Sequence, residues 1–235
     1  MEATVQRLDV LHELSFAQPA FALARNASET MQTFYETIAP RYPISAEHMV
    51  VNAANVLSEL FIRIGLFANF AALELRVDKM TLRFPQVGNA EDVKIVKDAV
   101  ILAYDALRKA VPDVRFAQAS SSLSAWLALD GGPEAAQKLL HEHAMPRSPI
   151  DPKQLGGQIA SYTLRANVPN PSEKWDIQIV AEPSAIPQAH LFVLINSSFR
   201  EGTSHHSIDE QISFIEHLVP KVFASLGIDL SQSES

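Results

Sequence analysis

Two segments of this chain, 90–111 and 207–226, place their apolar residues at a period near 3.6, whereas the other long apolar runs alternate with period two. The order in which these periods follow one another constrains the fold more than any single motif. In 5–16, Leu8, Val10, His12, Leu14 and Phe16 share one side of a strand. Asn26 with Glu29 reads as a capping box opening a helix over 28–38, whose stripe is Met31, Phe34, Tyr35 and Ile38 and which must stop before Pro40. Strands are predicted near 49–54, 58–67 and 71–84. The helix at 90–111 follows, with Asn89 as cap, Glu91 and Asp92 at its positive end and Pro112 beyond it.

The second half repeats that order. A strand is predicted over 114–129, with a bulge or bend where the apolar parity changes across Ser120-Ser121-Ser122. Asp130-Gly131-Gly132-Pro133 turns into a helix at 133–143, and Pro146, Pro149 and Pro152 mark a linker. Strands near 157–167, 174–182 and 189–199 follow, the first two joined by the turn Val168–Ser172. Ser207 and Glu210 form a capping box for the last helix, whose stripe is Ile208, Ile212, Ile215, Val219, Val222 and Leu226, with Gly227 as its stop. The expected fold is α+β: two similar β-α-β-β-β-α units, 1–111 and 112–235. Each has a largely antiparallel sheet packed by one long helix.

Composition narrows the chemistry. With 235 residues, 47% hydrophobic and 20% charged, the chain can bury a full core. A net charge of −8 argues against a phosphate-binding surface, and basic patches interleaved with aromatics are absent, so no nucleic-acid partner is expected. The absence of Cys excludes disulfides, thiolate metal sites and Cys nucleophiles. Only 8 glycines are present, and no glycine-rich phosphate cradle occurs among them. The N-terminus carries no signal-peptide pattern. The apolar stretch from Met49 to Leu75 is broken by Asn52, Asn55, Glu59, Arg63, Asn69 and Glu74, so it reads as buried sheet. A cytoplasmic location without membrane contact is expected.

Few residues suggest a site. His141 and His143 could share a face only in a strand; on a helix they diverge, and His143 joins the apolar stripe. Ser120-Ser121-Ser122 lacks the strand–turn–helix elbow of a nucleophile. Glu59 and Arg63 read as a buried or interfacial ion pair. The richest polar segment is Arg200–His206, which precedes a helix N-terminus where amides can hold an anion. Arg200, His205, His206 and Glu210 are therefore the candidate ligand-binding residues. His206 and Glu210 stand one turn apart, while His217 lies too far along the axis to complete a metal site. No catalytic residue, metal or cofactor is expected.

Three stretches, Glu13–Pro43, Leu73–Val111 and His190–Leu226, carry a resemblance to a sporadically distributed bacterial family of uncharacterised proteins of about this length. The strand after the first long helix departs from it, with Ser120-Ser121-Ser122 in place of aromatics. The strand-meander-plus-long-helix unit is similar to that of the bacterial export chaperone SecB, a likeness of fold and not of activity.

These observations favour a non-enzymatic interaction or assembly protein, an adaptor or holdase. The alternative is a small-molecule or metal-binding enzyme using residues 200–217. The apolar arc of helix 90–111 is wider than one sheet can cover, and Ile95 and Leu102 on its flank need a second partner. That partner is either the other long helix or the same helix of a second chain in a homodimer, the latter being favoured. An unidentified protein partner is expected besides.

Overall fold

The first strand, β1 (Glu2–Phe16), alternates so that its even positions from Leu8 to Phe16 face the core, and it becomes the middle of a sheet. The computed structural model describes residues 1–52, 59–88, 90–144 and 161–230. Chain order continues with helices α1 (Phe21–Arg25) and α2 (Ala27–Ile38), then strands β2 (Met49–Asn52), β3 (Phe61–Leu66), β4 (Ala71–Leu75) and β5 (Lys79–Phe84), and helix α3 (Ala90–Ala110). Next come β6 (Phe116–Leu129), α4 (Gly132–Ala144), β7 (Leu164–Asn170), β8 (Trp175–Pro183), β9 (Leu191–Arg200), α5 (Ile208–Ser225) and β10 (Asp229–Leu230).

The fold is mixed α+β, with one ten-stranded sheet in the order β2-β3-β4-β5-β1-β6-β9-β8-β7. All of these neighbours are antiparallel; β10 pairs in parallel with the start of β1, on the edge that β5 leaves free. The inward side chains of β1, β3, β4 and β5 join α1, α2 and α3 in one core, which includes Phe34, Ile38, Leu73, Leu82 and Leu107. Those of β6, β8 and β9 join α4 and α5 in a second core around Leu127, Leu140, Val193 and Phe223. Leu8 packs against both. Among the described residues the helices therefore cover one face of the sheet. None of the helices is long and apolar enough to cross a membrane, again among the described residues.

Several expectations need correction. Asn26 makes no side-chain cap, because α1 runs almost directly into α2 and Asn26 also ends α1. The strand expected at 71–84 is two strands, split at Arg76-Val77-Asp78, so among the described residues the first half has four strands after α2. The parity change in β6 falls at Ala117, where Ser15 pairs with Gln118 but Phe16 pairs with Phe116. Ser120–Ser122 lie in continuous register. A second irregularity sits at Gln6, between the pairs Val5–Leu127 and Arg7–Trp126. β7 lies later than expected and contains Pro169, tolerated because β7 is an edge strand. Glu59 and Arg63 are both exposed, so they form no buried ion pair; Arg63 instead stands across from Glu74 in the β3–β4 ladder. His143 is exposed rather than part of the α4 stripe. The inward face of α5 includes Gln211 and Phe223 alongside Ile208 and Val222. The expected cap at Asn89 and the linker at Pro146–Pro152 lie outside the described residues.

The wide apolar arc of α3 is met largely within the chain. Its buried residues are Ala99, Val100, Ala103, Ala106 and Leu107, and α2 packs along it. Tyr42, shortly after α2, donates its hydroxyl to Asp98 at 2.6 Å, and Lys109 bonds Thr37 at 3.3 Å. Leu102 packs against the first core, while Ile95 is half-buried.

Candidate functional site

The polar segment after β9 opens onto a cleft of about 630 Å³ between the two halves of the chain. Arg200, His205 and His206 line it together, joined by Arg108 from the end of α3 and Arg115 and Phe116 from the start of β6. Glu210 stands just outside it, at the start of α5. Each candidate also has a structural duty. The Arg200 guanidinium pairs with Asp176 on β8. The His205 ring packs against both Phe199 and Phe214, with centroids 5.6 and 4.9 Å away. Glu210 closes the capping box: its carboxylate accepts from the Ser207 amide at 3.0 Å, and its own amide donates to Ser207 Oγ at 3.1 Å. The Ser207 amide bond, helped by one from His206 and its nearby charge, holds the Glu210 carboxyl below its usual range. Gln211 donates to the His205 carbonyl at 3.1 Å, and its buried Oε1 has no partner. His217 bonds the Ser213 carbonyl and stays exposed. Among the described residues, no three His, Asp or Glu side chains converge as a metal would require.

A second site, which the sequence did not single out, lies between α3, α5 and the sheet. It is a cavity of about 370 Å³, walled by Leu8, Val10, Val96, Val100, Ile212 and Val219 among others. His12 stands on its floor. β1 and β6 place His12 directly opposite Ser121, and His12 Nδ1 lies 2.6 Å from Ser121 Oγ. Ser197, the next residue across the sheet on β9, donates its hydroxyl to the Ser121 carbonyl at 3.3 Å. His12 is 2% exposed and its Nε2 has no hydrogen-bond partner. Burial pushes its pKa down to about 4, so the ring is neutral at physiological pH.

Over this cavity, α3 and α5 are joined by one cation. The Lys97 ammonium lies 3.2 Å from Asp209, 3.5 Å from Glu216 and 3.2 Å from Ser213 Oγ. Partial burial works against its charge, but these acidic partners outweigh that and raise its pKa. The period-two pattern of β1 had placed His12 on the inward face. Its meeting with Ser121 depends on a pairing between strands more than 100 residues apart.

No protein-family profile and no curated protein matches the chain. Among solved structures, Methanococcus jannaschii TBP is 11% identical, with 97% of this chain and 99% of that chain covered, at a TM-score of 0.28. The di-domain ARO/CYC BexL from the BE-7585A biosynthetic pathway is also 11% identical, with 93% and 96% covered, at a TM-score of 0.21. Likenesses this distant carry no argument about fold or function.

Proposed function

We propose that this chain is a non-enzymatic interaction or assembly protein that offers the helix-free face of its sheet to a protein partner. One observation carries the reading. On that face the Arg7 guanidinium lies 4.8 Å over the Trp126 ring, and Trp126 lies 5.0 Å from Phe192 across the β6–β9 ladder. Arg7 is held in place by a two-pronged bond to Asp9 at 2.8 and 2.6 Å. Tryptophan and arginine dominate the energetics of protein interfaces, and here both are rigidly presented in the middle of the sheet. A photo-crosslinking side chain at Phe192, introduced in the native host, should trap a discrete adduct that Trp126→Ala abolishes. The same group at Glu142, on the exposed side of α4, should trap none. Equal labelling at both positions, or no adduct at Phe192, would overturn the reading.

Self-association as a homodimer belongs to the same proposal. Its candidate surface is the start of α3, where Val93 is 38% exposed beside half-buried Ile95. We also propose that residues 1–111 and 112–235 are two copies of one unit. In support, β1 and β6 are adjacent and antiparallel at the sheet centre; among the described residues β1 is followed by two helices, a four-strand meander and a long helix, and β6 by one helix, a three-strand meander and a long helix. A cytoplasmic location fits this reading.

A second reading, a small-molecule enzyme or binder using the 200–217 region, is favoured by the cleft that gathers Arg108, Arg115, Arg200, His205 and His206. Calorimetric titration with inorganic phosphate, on wild type and on Arg115→Ala, tests it: binding lost in the variant supports a ligand site, and no heat in wild type counts against an anionic ligand.

A further inference from the structure

Alternation along β3 and β5 decides which of their side chains stand out from the helix-free face of the sheet. Ile62 and Ile64 are buried in the first core, so Arg63 between them projects from the open face; Leu82 and Phe84 fix Arg83 in the same way. Both arginines are exposed, and both line a cleft of about 720 Å³ on that face. The cleft gathers four cationic side chains against three acidic ones, in a chain whose net charge is −8.

Two of those acids are already engaged. Glu74, directly opposite Arg63, is held by Arg76 at 2.6 Å, and Glu13 is held by Lys79 at 2.8 Å. Asp78, the third, stands in the turn between β4 and β5. Arg83 has Ala72 opposite it on β4 and Leu11 opposite it on β1, so neither neighbouring strand offers it a carboxylate. Asp9 feels the charge of Arg83, but its carboxylate is bound two-pronged by Arg7 and also accepts from the Gln86 amide at 3.0 Å. Among the described residues, neither Arg63 nor Arg83 has a carboxylate within 4 Å.

We propose that the partner of this face is an extended, acidic peptide segment that seats a carboxylate between Arg63 and Arg83. The proposal rests on the interaction reading and adds the chemistry of the partner.

Charge complementarity selects the acid, and the sheet spacing selects the segment. Ala72, with Gly65 opposite it on β3, keeps the floor low between the two arginines. Arg63 and Arg83 lie two strands across and two residues along from each other, about 12 Å between Cα atoms. Two arginine forks reaching inward from that separation can meet one carboxylate from opposite sides, the geometry in which guanidinium binds most strongly. Leu11 places Ser122 of β6 two strands from Arg83, and Trp126 lies four residues farther, roughly 17 Å from Arg83 in all. That distance is the span of about five extended residues, so the segment carries an apolar residue some five positions from its acid. A nucleic-acid strand fits less well, because Glu13, Glu74 and Asp78 interrupt the cations where a phosphate backbone needs them continuous.

The test titrates the full protein with three probes: the capped peptide Glu-Glu-Ser-Gly-Ser-Ser-Trp, its Gln-Gln counterpart and an oligothymidylate of eight nucleotides. Binding is measured by ligand-observed NMR and fluorescence. The Glu peptide should bind with a Kd below about 1 mM and the Gln peptide at least about tenfold more weakly, the worth of one charge-assisted hydrogen bond. That preference should fade in 1 M salt. Arg63→Gln and Arg83→Gln should each reduce it, whereas Arg165→Gln, an exposed arginine of the same face on β7, should leave it intact. No binding of the Glu peptide to wild type, equal binding of the Glu and Gln peptides, or tighter binding of the oligothymidylate would each overturn the proposal. The wild-type comparison decides it even if a variant fails to fold. Its failure is distinct from failure of the interaction reading: an adduct trapped at Phe192 with no preference for the Glu peptide removes only the acidic partner, and a Glu preference without that adduct removes only the reading.

Discussion

His12 and Ser121 face each other across the central β1–β6 ladder, with the imidazole Nδ1 2.6 Å from the serine hydroxyl and both side chains turned into the helix-covered side of the sheet. This pair sets a polar point inside an otherwise aliphatic layer. Burial leaves the ring uncharged, through the loss of water around the imidazolium.

The first prediction follows from that charge state. With a folded-state pKa of about 4 against 6.5 unfolded, His12 takes up a proton more readily in the unfolded chain. Its contribution to stability is complete above pH 6.5 and is lost as the pH falls from there toward 4. The wild type should lose about 2–3 kcal/mol over that window more than His12→Phe does. Urea unfolding of both proteins between pH 7.5 and pH 4.5 checks this; parallel pH profiles would refute it.

Removal of the α5 cap should be felt throughout the second core. Ser207→Ala deletes the acceptor for the Glu210 amide and releases the Glu210 carboxylate from its reciprocal bond. The expected cost is about 0.5–2 kcal/mol, which in a chain of this size lowers Tm by a few degrees. A melting temperature unchanged by the substitution would show that the cap contributes nothing.

Lys97→Met keeps the apolar stem over the cavity and removes the cation that joins α3 to α5. Because Asp209 and Glu216 are substantially exposed, the loss should be modest, below about 1 kcal/mol. The difference from wild type should shrink in 1 M salt, where charges are screened beyond about 3 Å. Denaturant titrations at low and high salt distinguish this from a packing effect, which salt would not diminish.

Ile95 and Leu102 should separate association from folding. Leu102 packs on the first core, so Leu102→Glu should destabilise the monomer by about 2 kcal/mol or more, as expected for an unpaired charge forced against apolar side chains. Ile95→Glu should change stability little and act on the assembly alone. Light scattering at micromolar concentration should give twice the chain mass for wild type and 25.9 kDa for Ile95→Glu. A wild-type mass of one chain would remove the homodimer.

Local signals in the chain were sufficient for much of its secondary structure. The alternation of β1, the long apolar stripe of α3, the paired Ser207 and Glu210 and the stop at Gly227 all rest on contacts within a few residues, and each lies where its pattern places it. Patterns failed where a neighbour distant in sequence decided the outcome. Asn26 is no cap because α1 occupies the space before it, and the irregularity of β6 lies at Ala117 because register with β1 sets it there. The polar candidates Arg200, His205 and His206 were legible, since a polar loop before a capped helix is a local feature. What joins them with Arg108 is the adjacency of the two halves, and Arg115 reaches them through the pairing of β6 with β9. The His12 cavity was hidden altogether. A histidine at an inward strand position is chemically mute until the sheet order brings Ser121 opposite one nitrogen and two helices, more than 100 residues apart, leave the other unpaired. Period and capping determined the elements of this protein; strand pairing and helix spacing, which depend on buried area summed over the whole chain, decided where its chemistry lies.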